Sequence, residues 1–324
     1  MNAIGNTCLI LGGGGYIGSH WAARLAAEGR FDRIVLADVR PPPGPLPDGC
    51  EFVTCDVRQP LRFPGLKPEW IFNFAALHRE PGHRRHEYFD TNIAGARNVC
   101  AYAEEIGCGK ILFTSSIAVY GNLDGPTSET SIPYPTSPYG ISKLCAELIH
   151  EGWRGGNAER RLVVCRPGVV YGPGDPGNML RMIHAIQKGY FVFPGSRYLR
   201  KSYGYIEGLL DSFEFMMDRT DPQSTYNYVE RETEPLKNLV KDIQDVVGRK
   251  LPTFTAPLPL LQAVAAMAQL VTAGRSPLHP VRVRKTAMST HIVPETLVKL
   301  GFQFRYDFSA SLKDWAAKAP GDFV

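Results

Sequence analysis

The chain has no long apolar run. Its most hydrophobic late stretch, Leu258 to Ala273, is broken by Gln262 and Gln269. It falls short of the roughly 18–20 uninterrupted apolar residues that a membrane-spanning helix requires. Two readings of it stay open: a helix packed in a smaller lobe, or one resting on a membrane surface. Cysteine pairing is also missing. The seven cysteines are scattered, odd in number and without a C-x-x-C pair, which argues against a disulfide framework and for a reducing, cytoplasmic compartment. Strong charge of either sign is absent too. The formal net charge of +4 is too small to imply a nucleic-acid partner. The N-terminal Met1-Asn2-Ala3-Ile4-Gly5-Asn6 lacks a basic region, so no signal peptide is expected. There is no internal repeat and no low-complexity tail. What is left is a chain of 324 residues, 44% hydrophobic and 21% charged, the composition of a soluble globular enzyme of one or two domains.

Thr7-Cys8-Leu9-Ile10-Leu11 is a short apolar run and reads as a buried strand. Gly12-Gly13-Gly14-Gly15-Tyr16-Ile17-Gly18 follows at once. Ser19 to Glu28 then has helical spacing, with Trp21, Ala22, Leu25 and Ala26 on one side. Strand, glycine loop and helix are the context that a dinucleotide fingerprint requires. Gly12, Gly15 and Gly18 satisfy G-x-x-G-x-x-G, and the G-x-G-x-x-G register is present as well. Glycine lets the backbone approach a ligand closely. The amides and positive end of the following helix then face a pyrophosphate. The next strand, Arg33-Ile34-Val35-Leu36-Ala37-Asp38, ends in a carboxylate. An acid there can hold both ribose hydroxyls of NAD and repel the 2′-phosphate of NADP. Arg40 offsets part of that repulsion, and NAD remains the expected cofactor.

Of fourteen tyrosines, Tyr139 alone has a lysine four residues later, Lys143. On a helix that spacing puts the two side chains on one face. A fixed ammonium favours phenolate over phenol, which would let Tyr139 exchange a proton with a substrate hydroxyl. An exposed Tyr and Lys one turn apart is also an ordinary helix surface, so the pair gains meaning from its neighbours. Strands and helices alternate through about residue 170, which implies a parallel sheet covered on both faces. Lys110-Ile111-Leu112-Phe113-Thr114 delivers Ser115 and Ser116 to a strand's carboxyl end, where such sheets bind ligands. Tyr88 to Ile106 and Pro138 to Arg154 read as long helices. The Pro41–Pro47 loop reads as stiff and close to the adenine side. After Gly172 the pattern becomes irregular, with Pro173, Pro176 and Pro194.

These motifs, taken in order, resemble the extended short-chain dehydrogenase/reductases, in the branch of NAD-dependent sugar-nucleotide epimerases and dehydratases. The matching segments are the glycine loop, Asp56-Val57, Asn73-Phe74-Ala75-Ala76, Thr91-Asn92, Ser115 to Gly121, Tyr139 with Lys143, and Arg166 to Gly172. The likeness runs over nearly the whole chain. It implies an α/β fold with a Rossmann-type doubly wound parallel sheet and a smaller C-terminal substrate-binding lobe. The NAD-binding domain is expected over 1–172, rejoined at about 200–230, and the lobe over 173–199 and 231–324. The resemblance assigns cofactor binding to Gly12, Gly15, Tyr16, Ile17, Gly18, Asp38, Asp56, Val57, Ala75, Asn92, Tyr139 and Lys143. It assigns catalysis to Ser116, Tyr139 and Lys143, with Ser116 rather than Ser115 on the reacting hydroxyl. Substrate contacts are expected from Arg79, Ser116, Tyr139, Asn178, Arg200, Lys201 and Arg282, with Arg284 as the alternative to Arg282.

Dehydratases of this family carry acids directly after the active-strand serine. Here Ile117 and Ala118 stand there, as in the 4-epimerases, although Glu80 on another loop is a conceivable substitute. The resemblance therefore implies epimerisation of a nucleotide-linked sugar by loss and return of a hydride at C4. A one-way dehydrogenation or reduction, an oxidation followed by decarboxylation, a dehydration and a nucleotide-sensing role are the alternatives. His78, His83 and His86 could suggest a metal, but the family chemistry needs none. The resemblance also implies a homodimer through the helices at 88–106 and 138–154, with Val99, Tyr102 and Leu148 as outward apolar candidates.

Overall fold

A computed structural model describes residues 6–80, 82–121, 125–175, 177–250, 252–273 and 279–324. The readings placed on Met1 to Gly5, Pro81 and Pro176 lie outside these residues. Seven parallel strands form the main sheet: β1 (Thr7–Leu11), β2 (Arg33–Asp38), β3 (Cys50–Thr54), β4 (Trp70–Asn73), β5 (Lys110–Thr114), β6 (Arg161–Pro167) and, much later, β10 (Gln223–Tyr228). Their spatial order is β10-β6-β5-β4-β1-β2-β3. The pattern of burial explains the two-sided cover. Cys8, Ile10, Ile34, Leu36, Trp70 and Phe72 face one core, while Leu9, Leu11, Val35, Ala37 and Ile71 face the other. Alternate residues point to opposite faces of a strand, so uniformly apolar strands need helices on both.

Those helices are α1 (Tyr16–Glu28), α2 (Arg85–Glu105), α3 (Pro138–Gly155) and α5 (Ile206–Met217), while α4 (Asn178–Gln187) and α6 (Leu236–Val246) pack against each other. Helix α1 begins three residues before the expected Ser19, because Gly15 is already its N-cap. Helix α2 begins at Arg85, ahead of the expected Tyr88. The order of connections reverses between β1 and β4, and a ligand cleft opens beyond the carboxyl ends of strands at such a point.

The region after Gly172 is less irregular than its prolines suggest. It holds α4 and most of two small parallel sheets: β7 (Val169–Tyr171), just before Gly172, pairs with β9 (Tyr203–Tyr205), and β8 (Val192–Pro194) pairs with β11 (Phe254–Ala256). Beyond them lie α7 (Leu258–Val271), α8 (Pro280–Thr286), α9 (Glu295–Lys299) and α10 (Phe308–Lys318). Among the described residues no helix is long and apolar enough to cross a membrane. All seven cysteines are unpaired. The outward apolar face expected of α2 and α3 needs correction. Val99 and Tyr102 are buried in the core under the sheet, and of the three candidates only Leu148 is exposed. Tyr102 instead packs edge-on against Phe63.

Candidate active site

A cleft of about 1990 Å³ runs from the glycine loop to the small lobe. At its cofactor end the glycines have different tasks. A Cβ on Gly12 would lie 2.6 Å from the Ala75 nitrogen, and one on Gly18 would lie 2.2 Å from the Gly12 oxygen. Both positions therefore close the loop against backbone. A Cβ on Gly15 would meet only the Gly12 oxygen, at 3.2 Å, and Gly15 lines the cleft. Its missing side chain leaves room for a ligand rather than for the protein. Helix α1 has no acidic residue in its first turn and no side-chain cap. Its unpaired amides and positive end are thus left for an anion.

Asp38 lines the cleft at the end of β2. Its carboxylate accepts from the Gly14 N–H at 3.1 Å and the Arg40 N–H at 3.4 Å, which aims it before any ribose arrives. Asp56 is held by the Arg58 guanidinium, with contacts of 2.6 to 2.9 Å, and that hydrogen bonding lowers its pKa. Tyr16, Ile17, Val57 and Ala75 complete this wall. Pro41 and Pro43 of the stiff loop also lie on it. Asn92 does not. It is buried and clamps the Leu77 backbone, accepting from its N–H at 2.9 Å and donating to its carbonyl at 3.1 Å, and it also donates to Ser142 at 2.8 Å. It fixes the loop after β4 to α3 instead of facing the cofactor space.

The active strand and α3 meet at the cleft floor. Ser116 caps a short 3-10 helix, accepting from the Ala118 N–H at 3.1 Å. Ser137 caps α3 in the same way, at 3.1 Å from the Gly140 nitrogen, and Pro138 opens the helix. These caps set where Tyr139 points. Ser116, Tyr139 and Lys143 all line the cleft. Burial pushes the Tyr139 hydroxyl up to about 12, opposed by its hydrogen bond with Ser116. Burial pulls Lys143 down to about 7, with Glu147 pulling the other way. The expected lowering of Tyr139 by Lys143 is therefore not what dominates. Desolvation disfavours the charged form of both groups. The Lys143 ammonium sits 4.2 Å from the centre of the Phe113 ring. His150 stacks on the same ring and is held neutral, its pKa drawn down to about 4 by burial.

On the substrate side, Arg79, Asn178, Lys201 and Arg282 line the cleft, as does Arg284. Arg200 does not and is corrected here. It lines a smaller depression with Arg231 and Glu232, and its guanidinium donates to the Thr233 carbonyl. Lys201 faces the cleft, but its ammonium donates to the carbonyls of Lys285, at 2.8 Å, and Met288. It thus ties down the end of α8, and burial lowers its pKa to about 8. Asn178 accepts from Arg181 at 2.9 Å. Among the described residues no cluster of three or more metal-ligating side chains forms. His83 instead lies 3.9 Å from Glu87.

The model of the NAD dependent epimerase/dehydratase family matches residues 8–228. The chain belongs to that family. Its cofactor is accordingly NAD, and the glycine loop, α1 terminus and Asp38 fit that group. The chain is 29% identical over 244 residues to the N-acetyl-α-D-glucosaminyl-diphospho-ditrans,octacis-undecaprenol 4-epimerase of Escherichia coli O157:H7, covering 74% of this chain and 73% of that protein. It is 35% identical over 151 residues to the UDP-glucose 4-epimerase of Lacticaseibacillus casei, covering 44% and 45% of the two chains. The structure of UDP-glucose 4-epimerase from Thermotoga maritima with UDP-glucose superposes with a TM-score of 0.77 at 21% identity, covering 98% of this chain and all of that one.

Two features of this family member escaped the sequence reading. Glu147 lies one turn beyond Lys143 and forms a buried bidentate pair with Arg166, at 2.9 and 2.6 Å. Its signal was available, since Tyr139, Lys143 and Glu147 recur every four residues. Glu80 meets Lys285 at 2.6 Å, 205 residues away, and no local pattern marks such a pair.

Proposed function

We propose that this chain interconverts the 4-epimers of a nucleotide-linked sugar, with NAD held through the cycle. The observation that carries this reading is the convergence of Ser116, Tyr139 and Lys143 beside Ile117 and Ala118 on one cleft floor. The two positions that bear acids in dehydratases are apolar here. Glu80, the conceivable replacement, has its carboxylate engaged by Lys285.

Ser116 and Tyr139 line the same floor, so a sugar hydroxyl placed between them would be held by both and would pass its proton to the Tyr139 oxygen in its phenolate form, which a nearby positive charge favours. Lys143, one helical turn on and on the same cleft floor, would supply that positive charge in its protonated form. NAD, when bound, supplies a reversible hydride acceptor, and the protein contributes position and electrostatics. Asp38 would hold the cofactor's ribose. Arg79, Arg181 and Arg282, all on the cleft wall, suit a diphosphate because a guanidinium can hold two of its oxygens at once.

A second reading replaces the nucleoside by a lipid on the same diphosphate. It is favoured by the undecaprenol-linked substrate named for the Escherichia coli relative and by Leu261 and Val264 on the cleft wall. A homodimer through α2 and α3 is part of the proposal, and sedimentation at micromolar concentration tests it. Incubation of the pure protein with a panel of sugar nucleotides, followed by NMR, tests the reaction.

A further inference from the structure

Helix α7 is inside out. None of its fourteen residues carries a charge. Leu260, Val264, Met267, Leu270 and Val271 are 58, 52, 68, 83 and 79% exposed. Its two polar residues, Gln262 and Gln269, are only half-buried to solvent's reach. A surface helix ordinarily does the reverse, hiding its apolar stripe. The apolar face continues past the helix. Phe254, 70% exposed, pairs in register with the exposed Val192. Val192, Leu261 and Val264 also line the cleft, so the surface runs unbroken to the cleft mouth.

Charge decides what covers it. Residues 246–294 contain six Arg and Lys and no Asp or Glu. The whole chain has a net charge of +4, so the rest of it sums to −2. Helix α8, packed against α7, brings Arg282, Arg284 and Lys285 to the rim; Lys285 is paired with Glu80, and Lys250 of the same segment with Asp245. A second copy docking through a two-fold axis would set this positive segment against itself. An anionic bilayer meets both the apolar face and the basic rim. At fourteen residues α7 is too short to span one, and a helix of this kind lies in the interface plane.

We infer that α7, with Phe254 and the basic rim of α8, docks this protein on an anionic lipid bilayer and sets the cleft mouth at the headgroups. This holds whichever group the sugar diphosphate carries. The test is flotation of the full chain with vesicles of phosphatidylcholine alone and with phosphatidylglycerol added. The protein is expected to float with the anionic vesicles and to be released by salt. Neither Met267 nor Leu270 lines the cleft, so a Met267→Asp/Leu270→Asp variant should keep its thermal midpoint and NAD affinity. Its vesicle partitioning should fall at least about tenfold. No flotation with anionic vesicles, or equal flotation of the variant, overturns the inference. A dimer in solution that this variant dissolves assigns the face to a second copy and overturns it as well.

Discussion

Replacing Lys143 by methionine should abolish turnover and yet stabilise the fold. Lys143 is 1% exposed, and burial draws its pKa from 10.5 to about 7. A folded-state pKa below the unfolded one means that the folded state resists binding a proton. The penalty is therefore fully present below about pH 7, shrinks as the pH rises, and is gone above 10.5. At about 1.36 kcal/mol per unit, the gap caps the penalty at about 5 kcal/mol. The field of Glu147 is already contained in that figure. Methionine nearly conserves the length of the side chain and removes the charge. Glu147 keeps both of its bonds to Arg166 in the variant, so no buried carboxylate is orphaned. Urea unfolding at a series of pH values would measure the difference. The variant should be more stable by a few kcal/mol at pH 6, with the advantage fading towards pH 10. A variant that is less stable at pH 6, or an advantage that grows with pH, would refute the assignment of a desolvated ammonium.

Tyr139→Phe should lower kcat at least about 10²-fold, the usual lower size of an acid–base contribution, while NAD binding by calorimetry stays near normal; near-normal turnover would remove Tyr139 from the chemistry. Asp38→Asn should narrow the preference for NAD over NADP measured by titration, and tighter binding of NADP by the unaltered protein would show that Arg40 outweighs Asp38. Gly15→Ala and Gly18→Ala should separate binding from folding. The Gly18 variant, whose Cβ would be 2.2 Å from backbone, should lose thermal stability, whereas the Gly15 variant should keep its midpoint and lose NAD affinity. Equal midpoints for the two would contradict the division of tasks within the loop.

The halves of the molecule differ in how far the sequence discloses them. β1, the glycine loop and β2 are local patterns: a buried strand, a bare turn and a terminal acid within a few tens of residues. Tyr139 and Lys143 are legible for the same reason, since one helical turn brings them together. The small lobe is built from strands of three residues, too short for any periodicity to register. Its charges are placed by distant partners. Arg200 and Lys201 are neighbours in sequence, yet one turns to the Thr233 carbonyl and the other caps α8. Asn92 sits in a motif that marks the cofactor side, but its amide is spent on Leu77 and Ser142. Helix periodicity shows which residues share a face, not which of the two faces meets the sheet, and Val99 and Tyr102, outward by that pattern, are buried.

The central claim is that Ser116, Tyr139 and Lys143 carry out a reversible exchange at C4 with no acid available for elimination. NMR of the pure protein with UDP-hexoses tests it most directly. The expected result is approach to one equilibrium ratio of 4-epimers from either side, with no net consumption of added NAD. Accumulation of a stable 4-keto-6-deoxy sugar would contradict the account and point to Glu80, freed from Lys285, as the missing acid.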